Sequence, residues 1–161
     1  MLSVKHKSSG FTLIELLIVI IIIGVLAVIF LANYAGVRER ARDSRRKSDL
    51  RQIQAAFELY RYDQKKYPAS LPDCSSGSSL TGGSKTYMQK IPCDPQGTTY
   101  YNNGKYFYFR NASTGTYFMC ACLENINDSQ AVNSPLYNQT CTLNGALSAC
   151  PSTYYYFLQS Q

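Results

Sequence analysis

Chemistry in this chain is confined to a few residues. Glu15 is the one carboxylate inside an apolar run, GFTLIELLIVIIIIGVLAVIFLA, at positions 10–32. An ionised carboxylate in hydrocarbon costs about 2.5–3.5 kcal/mol on insertion scales. A helix N-terminus returns roughly 0.3–1 kcal/mol of that, so the acid calls for a cation. Cutting the chain after Gly10 would supply one, an α-amino group on Phe11 able to meet Glu15 of its own or a neighbouring chain. The second reactive set is six cysteines, Cys74, Cys93, Cys120, Cys122, Cys141 and Cys150. An even number in a small Gly-, Ser-, Asn- and Tyr-rich region reads as a disulfide framework made in an oxidising compartment. Zinc would need paired ligands at short, regular spacing, and the single histidine, His6, stands in the N-terminal ten residues. No nucleophile elbow, phosphate loop or acid–base pair is evident, so no enzymatic activity is expected.

The elements that must position these residues follow from periodicity. A run of this length crosses the roughly 30 Å core of a bilayer as a helix. Between it and Pro68 lie good helix formers and no proline, which predicts one helix from about Phe11 to about Asp63. Leu50, Ile53, Phe57 and Tyr60 recur at helical spacing as an apolar stripe that would pack on a sheet. Asp43 with Arg46 and Lys47, and Arg45 with Asp49, are spaced to pair along the helix, and the Arg45, Arg46, Lys47 cluster reads as a charge-laced exposed stem. Gly24 and Gly36 weaken the helix locally.

Beyond Pro68, positions 68–83 read as a flexible loop and 88–97 as a turn-rich connection. The runs 98–101 and 106–110, separated by Asn102, Asn103 and Gly104, predict a hairpin. A third strand is expected at 117–123 (YFMCACL), with Phe118, Cys120 and Cys122 on one face. Adjacent positions on one strand face cannot bridge each other easily, so Cys120 and Cys122 should reach different partners. Joining Cys74 to Cys93 would staple the flexible loop. Cys141 and Cys150 could pair with Cys120 and Cys122 or with each other. The tyrosine-rich run 154–157 is expected to be a last strand or docked tail.

Gly10 followed by Phe11, Thr12, Leu13, Ile14 and Glu15 ahead of the long apolar run resembles the processing signal of type IV pilins and type II secretion pseudopilins. The resemblance implies cleavage after Gly10 by a prepilin peptidase, N-methylation of Phe11, and assembly assisted by pairing of Glu15 with a neighbour's N-terminus. It extends to Lys66, Tyr67 and Pro68 and to Asp94, Pro95, Gln96 and Gly97, a layout similar to that of the major pseudopilins, although Gln96 stands where that family often has tryptophan. The cysteine-rich C-terminal section is more like the stapled end of some type IV pilins. The pseudopilin family also binds calcium in a C-terminal loop; here Glu124 and Asp128 are the candidate ligands, with no metal or cofactor otherwise expected.

The expected architecture is α+β and pilin-like: a long N-terminal helix, membrane-spanning in its first half, packed on a small antiparallel sheet with a disulfide-stapled C-terminal region. Residues 1–10 form a cleaved basic leader, 11–33 the transmembrane and filament-core half of the helix, 34–66 its amphipathic half, and 67–161 a β-rich head. The formal charge of +6 is concentrated in the leader and stem, while positions from Tyr67 onward carry four basic and four acidic residues, so a nucleic-acid partner is not expected. Arginines after the run would by charge alone place the C-terminus in the cytoplasm. The cysteines and the resemblance place the leader there instead and the head outside. The function expected is that of a filament subunit, most like a type II secretion pseudopilin. The alternatives are a type IV pilin for adhesion, motility or DNA uptake, and a membrane-anchored binding module that does not polymerise. Implied partners are further copies of the chain, the peptidase, an inner-membrane assembly platform with its ATPase, minor pilins and membrane lipid.

Overall fold

A computed structural model describes residues 10–97, 102–132, 150 and 154–160. One long helix, α1 (Leu13–Gln64), is followed by β1 (Leu80–Gly82), β2 (Lys85–Met88), a 3-10 turn (Asn102–Gly104), β3 (Phe107–Asn111), β4 (Thr116–Cys122) and β5 (Tyr155–Gln159). The chain divides into two compact units, Met1–Val37 and Arg38–Gln161.

α1 ends where Lys65 takes a left-handed backbone (φ 60°) while its N–H donates to the Arg61 carbonyl at 2.8 Å. This is the single-bond cap that closes many helices, and Pro68 follows closely. In the second unit, Leu50, Ile53, Ala56 and Phe57 on one helical face are buried. Burying each large member of that stripe stabilises the fold by about 1.5–3 kcal/mol.

Their counterpart is a three-stranded antiparallel sheet in the order β3-β4-β5. β4 is central, with Phe107 and Phe157 flanking Cys120, and Tyr108 and Leu158 flanking Met119. Strand alternation sends Tyr117, Met119, Ala121 and Leu123 into the core with the helix stripe. Phe118, Cys120 and Cys122 fall on the opposite side; Cys120 and Cys122 join Phe107, Cys150 and Tyr155 in a second cluster. Phe57 meets Tyr108 and Tyr117 edge-on at 4.9 and 5.4 Å, and Tyr67 meets Tyr117 at 4.5 Å. These are favourable aromatic geometries.

One loop expectation needs correction. The segment 68–83 is not all loop, because Leu80–Gly82 pairs with β2 in a short hairpin whose turn is Gly83 and Ser84. Gly82 lets this hairpin approach α1, since a Cβ there would lie 2.7 Å from the Tyr60 ring. The expected strand at 106–110 is β3, which pairs forward with β4 across the turn at 112–115. Asn102–Gly104 forms the 3-10 turn, and residues 98–101 lie outside the described residues. Gly104 (φ +76°) packs backbone to backbone on Gly97: a Cβ would stand 2.8 Å from the Gly97 carbonyl carbon.

Candidate functional site

The first site is the start of α1. Thr12 immediately precedes the helix and Glu15 occupies its third position, the spacing of a capping box. Glu15 Oε2 accepts the Thr12 N–H at 2.8 Å and the Thr12 hydroxyl at 2.9 Å, while the Glu15 N–H donates to Thr12 Oγ1 at 3.3 Å. The acid is therefore satisfied within its own chain. This box, T-L-I-E, is legible in the sequence as Thr followed three residues later by Glu, a local partner for the acid that the expectation of a distant cation left out.

Around that polar cap the surface is uniformly apolar. Leu13–Phe30 has a mean hydropathy of 3.3 and none of it is buried. Exposure of its large side chains runs from 48% at Leu26 to 90% at Leu13. A helix apolar on every side has no solvent-facing side of its own and belongs in lipid or among other helices. Gly10 and Phe11, the expected processing residues, are exposed just before it. Residues 1–9 of the expected leader, His6 among them, lie outside the described residues.

The second site is a buried ion network within the second unit, and it corrects the reading of an exposed stem. Arg46 is wholly buried, as are Asp43 and Asp49. Arg46 Nε donates to Asp94 Oδ2 at 2.6 Å and Nη2 to Oδ1 at 3.0 Å. Its Nη1 reaches Asp43 Oδ1 at 2.7 Å and Glu124 Oε1 at 2.5 Å. Arg42 adds Nε to Glu124 Oε1 at 2.7 Å and a contact from Nη2 to Oε2. Lys47 Nζ lies 2.5 Å from both oxygens of Asp128. Burial alone disfavours the charge on the Arg46 guanidinium, yet the surrounding carboxylates hold its pKa above the usual arginine value.

Asp94 is the acid of the Asp94-Pro95-Gln96-Gly97 element. It accepts from Arg46 and from the Gln96 N–H, and its own N–H donates to the Gly104 carbonyl at 2.8 Å. Asp49 sits beside this cluster, where burial raises its pKa against the Tyr106 hydroxyl that donates to it at 2.7 Å.

Of the cysteines, Cys74 is bonded to Cys93 and Cys122 to Cys150, with Cα separations of 5.3 and 5.6 Å. Cys120 is also disulfide-bonded, and Cys141 lies outside the described residues. The first bridge closes the segment carrying the β1–β2 hairpin; the second ties β4 to the residues preceding β5.

Comparison with known proteins gives these sites a setting. A family model described as the prokaryotic N-terminal methylation motif matches residues 5–31. The type II secretion system core protein G of Aeromonas hydrophila is 31% identical over 107 residues, 60% of this chain and 73% of that protein. The chain belongs to the type II secretion core protein G family. The core protein G of Escherichia coli K12 is 32% identical over 106 residues, covering 58% of this chain and 70% of the relative. That of Pseudomonas aeruginosa is 29% identical over 104 residues, 60% of this chain and 73% of the relative. No solved structure matches significantly. As a core protein G pseudopilin, the chain has its membrane-length apolar helix where the methylation motif falls and its ion network in the unit that carries the sheet.

Proposed function

We infer that the protein is the repeating subunit of a type II secretion pseudopilus, held in the cytoplasmic membrane until it polymerises. The observation that carries this reading is the helix segment Leu13–Phe30, apolar on every side and bearing one carboxylate at its capped start. A bilayer and a bundle of like helices both satisfy such a surface. Exchange of lipid for neighbouring helices in a head-to-tail contact that does not close produces an open helical polymer.

In this reading a prepilin peptidase cuts after Gly10 on the cytoplasmic side, and the new Phe11 amine is methylated. The head lies outside, where the disulfides at Cys74–Cys93 and Cys122–Cys150 would form. On assembly Glu15 exchanges its hydrogen bonds from Thr12 for the N-terminal amine of an adjacent subunit. Extraction from lipid opposes hydrophobic anchoring, so an inner-membrane platform driven by a cytoplasmic ATPase supplies the energy, and minor pilins start the filament.

Mass spectrometry of the mature N-terminus tests the processing. The expected product begins with N-methylated Phe11, and an intact Met1 or a cut elsewhere would falsify it. Glu15→Ala is expected to insert and be processed but to enter filaments poorly. Wild-type filament yield from cells making only that variant would remove the role given to the acid.

A further inference from the structure

The family resemblance implies calcium in a C-terminal loop, where the candidate ligands are Glu124 and Asp128. Their surroundings do not fit that ion. Glu124 Oε1 accepts from Arg42 Nε at 2.7 Å and Arg46 Nη1 at 2.5 Å, and Oε2 faces Arg42 Nη2. Both Asp128 oxygens face the Lys47 ammonium, and Oδ1 also accepts the Gln130 N–H at 2.8 Å. The backbone at the start of the loop turns donors, not carbonyls, toward the helix: the Glu124 and Asn125 N–H groups donate to Asp43 at 3.0 and 2.8 Å. Calcium takes about six to eight oxygens. Here the available carboxylate oxygens meet cations, and the peptide groups nearest them present hydrogens. Among the described residues no three Asp, Glu, His or Cys side chains converge to hold a metal.

We propose that Arg42, Arg46 and Lys47 take the place of a divalent cation in this protein and fasten the loop 123–132 to the helix, making its docking independent of calcium. Arg42 with Arg46, and Asp43 with Lys47, form two neighbouring i,i+4 rows that together make the face the loop meets. Two carboxylates of the loop meet that face, and Asp43, an acid of the same helix, receives the loop's N–H groups in return. The loop is tied at its two ends, by the Cys122–Cys150 bridge before it and by the Val132–Tyr155 bridge pair after it. Between those ties the charge pairs join it to the helix. Exposure of the paired side chains is low, 13% for Lys47 and 17% for Asp128, so solvent and salt screen them less than they would a surface pair.

The test is hydrogen exchange and thermal melting of the full-length chain in detergent micelles, with EDTA or with millimolar calcium chloride. Exchange in 123–132 and the melting midpoint are expected to be the same in both conditions. Asp128→Asn and Lys47→Met should each raise exchange in the loop several-fold whether or not calcium is present. Protection at Leu50, Ile53 and Phe57 should persist, showing that the core has stayed folded. Two results overturn the proposal: unchanged loop protection in Lys47→Met, or a calcium-dependent rise of about 2–4 °C in the midpoint that Asp128→Asn abolishes.

Discussion

Arg46 grips Asp94 through two parallel hydrogen bonds, Nε to Oδ2 and Nη2 to Oδ1, with both side chains fully withdrawn from solvent. The pair joins the helix to the Asp94–Gly97 turn 48 residues away in sequence. Removing one partner of a buried pair leaves a charge uncompensated, which costs about 3–5 kcal/mol. Arg46→Met is therefore expected to lower the stability of the head by that amount, measured by thermal unfolding of the detergent-solubilised chain. Arg46→Lys should recover only part, because an ammonium cannot reproduce the two-pronged contact. A wild-type midpoint in Arg46→Met would contradict the network's structural weight.

Acid should loosen the same network in a defined window. Burial pushes the Glu124 carboxyl up, but hydrogen bonds from Arg42 and Arg46 outweigh it and leave the pKa below the ordinary value; Lys47 does the same for Asp128. Groups with depressed folded values contribute stability above the ordinary carboxylate range and lose it as the pH falls through the depressed values. Asp49 runs the other way, since burial raises it and its charge is a cost relieved on acidification. Loop protection factors, referred to the intrinsic exchange rate at each pH, are expected to be flat from pH 8 to about 5 and to fall below about 4. Protection unchanged at pH 2 would contradict this.

Gly104→Ala should be strongly destabilising, by about 2 kcal/mol or more, from a left-handed φ combined with a backbone contact that cannot yield. Gly82→Ala presses on the ends of the Tyr60, Tyr87 and Gln64 side chains instead, which can shift. The smaller loss expected there, about 1 kcal/mol, separates the two kinds of close approach. Equal melting midpoints for the two variants would remove the distinction.

Thr12→Ala removes the hydroxyl half of the capping box, a change that costs about 0.5–2 kcal/mol at a helix start. Amide exchange at Leu13, Ile14 and Glu15 in micelles should quicken accordingly, with Thr12→Ser close to wild type. Identical exchange in Thr12→Ala would show that the cap adds nothing to the helix end.

What the sequence made legible was local. Glycine, phenylalanine and glutamate at fixed spacing before an apolar run identify the assembly helix, and Leu50, Ile53 and Phe57 mark the buried stripe because all are apolar at helical period. Arg46 occupies the same face yet reads as solvent-facing, since nothing within one helical turn reveals acids 48 and 78 residues away. The β1–β2 hairpin was hidden for the opposite reason. Its strands are three and four residues long, too short to show an alternation, and only the adjacent Gly82 and Gly83 hint at a turn. The pairing of β3 with β4 is marked by no Asn-Gly dipeptide, and its turn rests on Asn111 and Gly115, whose N–H donates to the Asn111 carbonyl at 3.0 Å.

The bridge between Cys122 and Cys150 links two positions 28 residues apart in sequence, and Cys122 also pairs with Tyr155 across the sheet. Both strands are thus pinned at the point where the chain leaves β4 and where it returns. Lengthening a connection closed at its base costs little, about 0.6 kcal/mol per doubling. The bridge and the strand pairing thus hold the register of β4 on β5 at the same end of the sheet. A frame of this kind carries the pairing of β4 with β5, and leaves Glu124 and Asp128, which lie between its two anchors in sequence, to serve the docking of the loop on the helix.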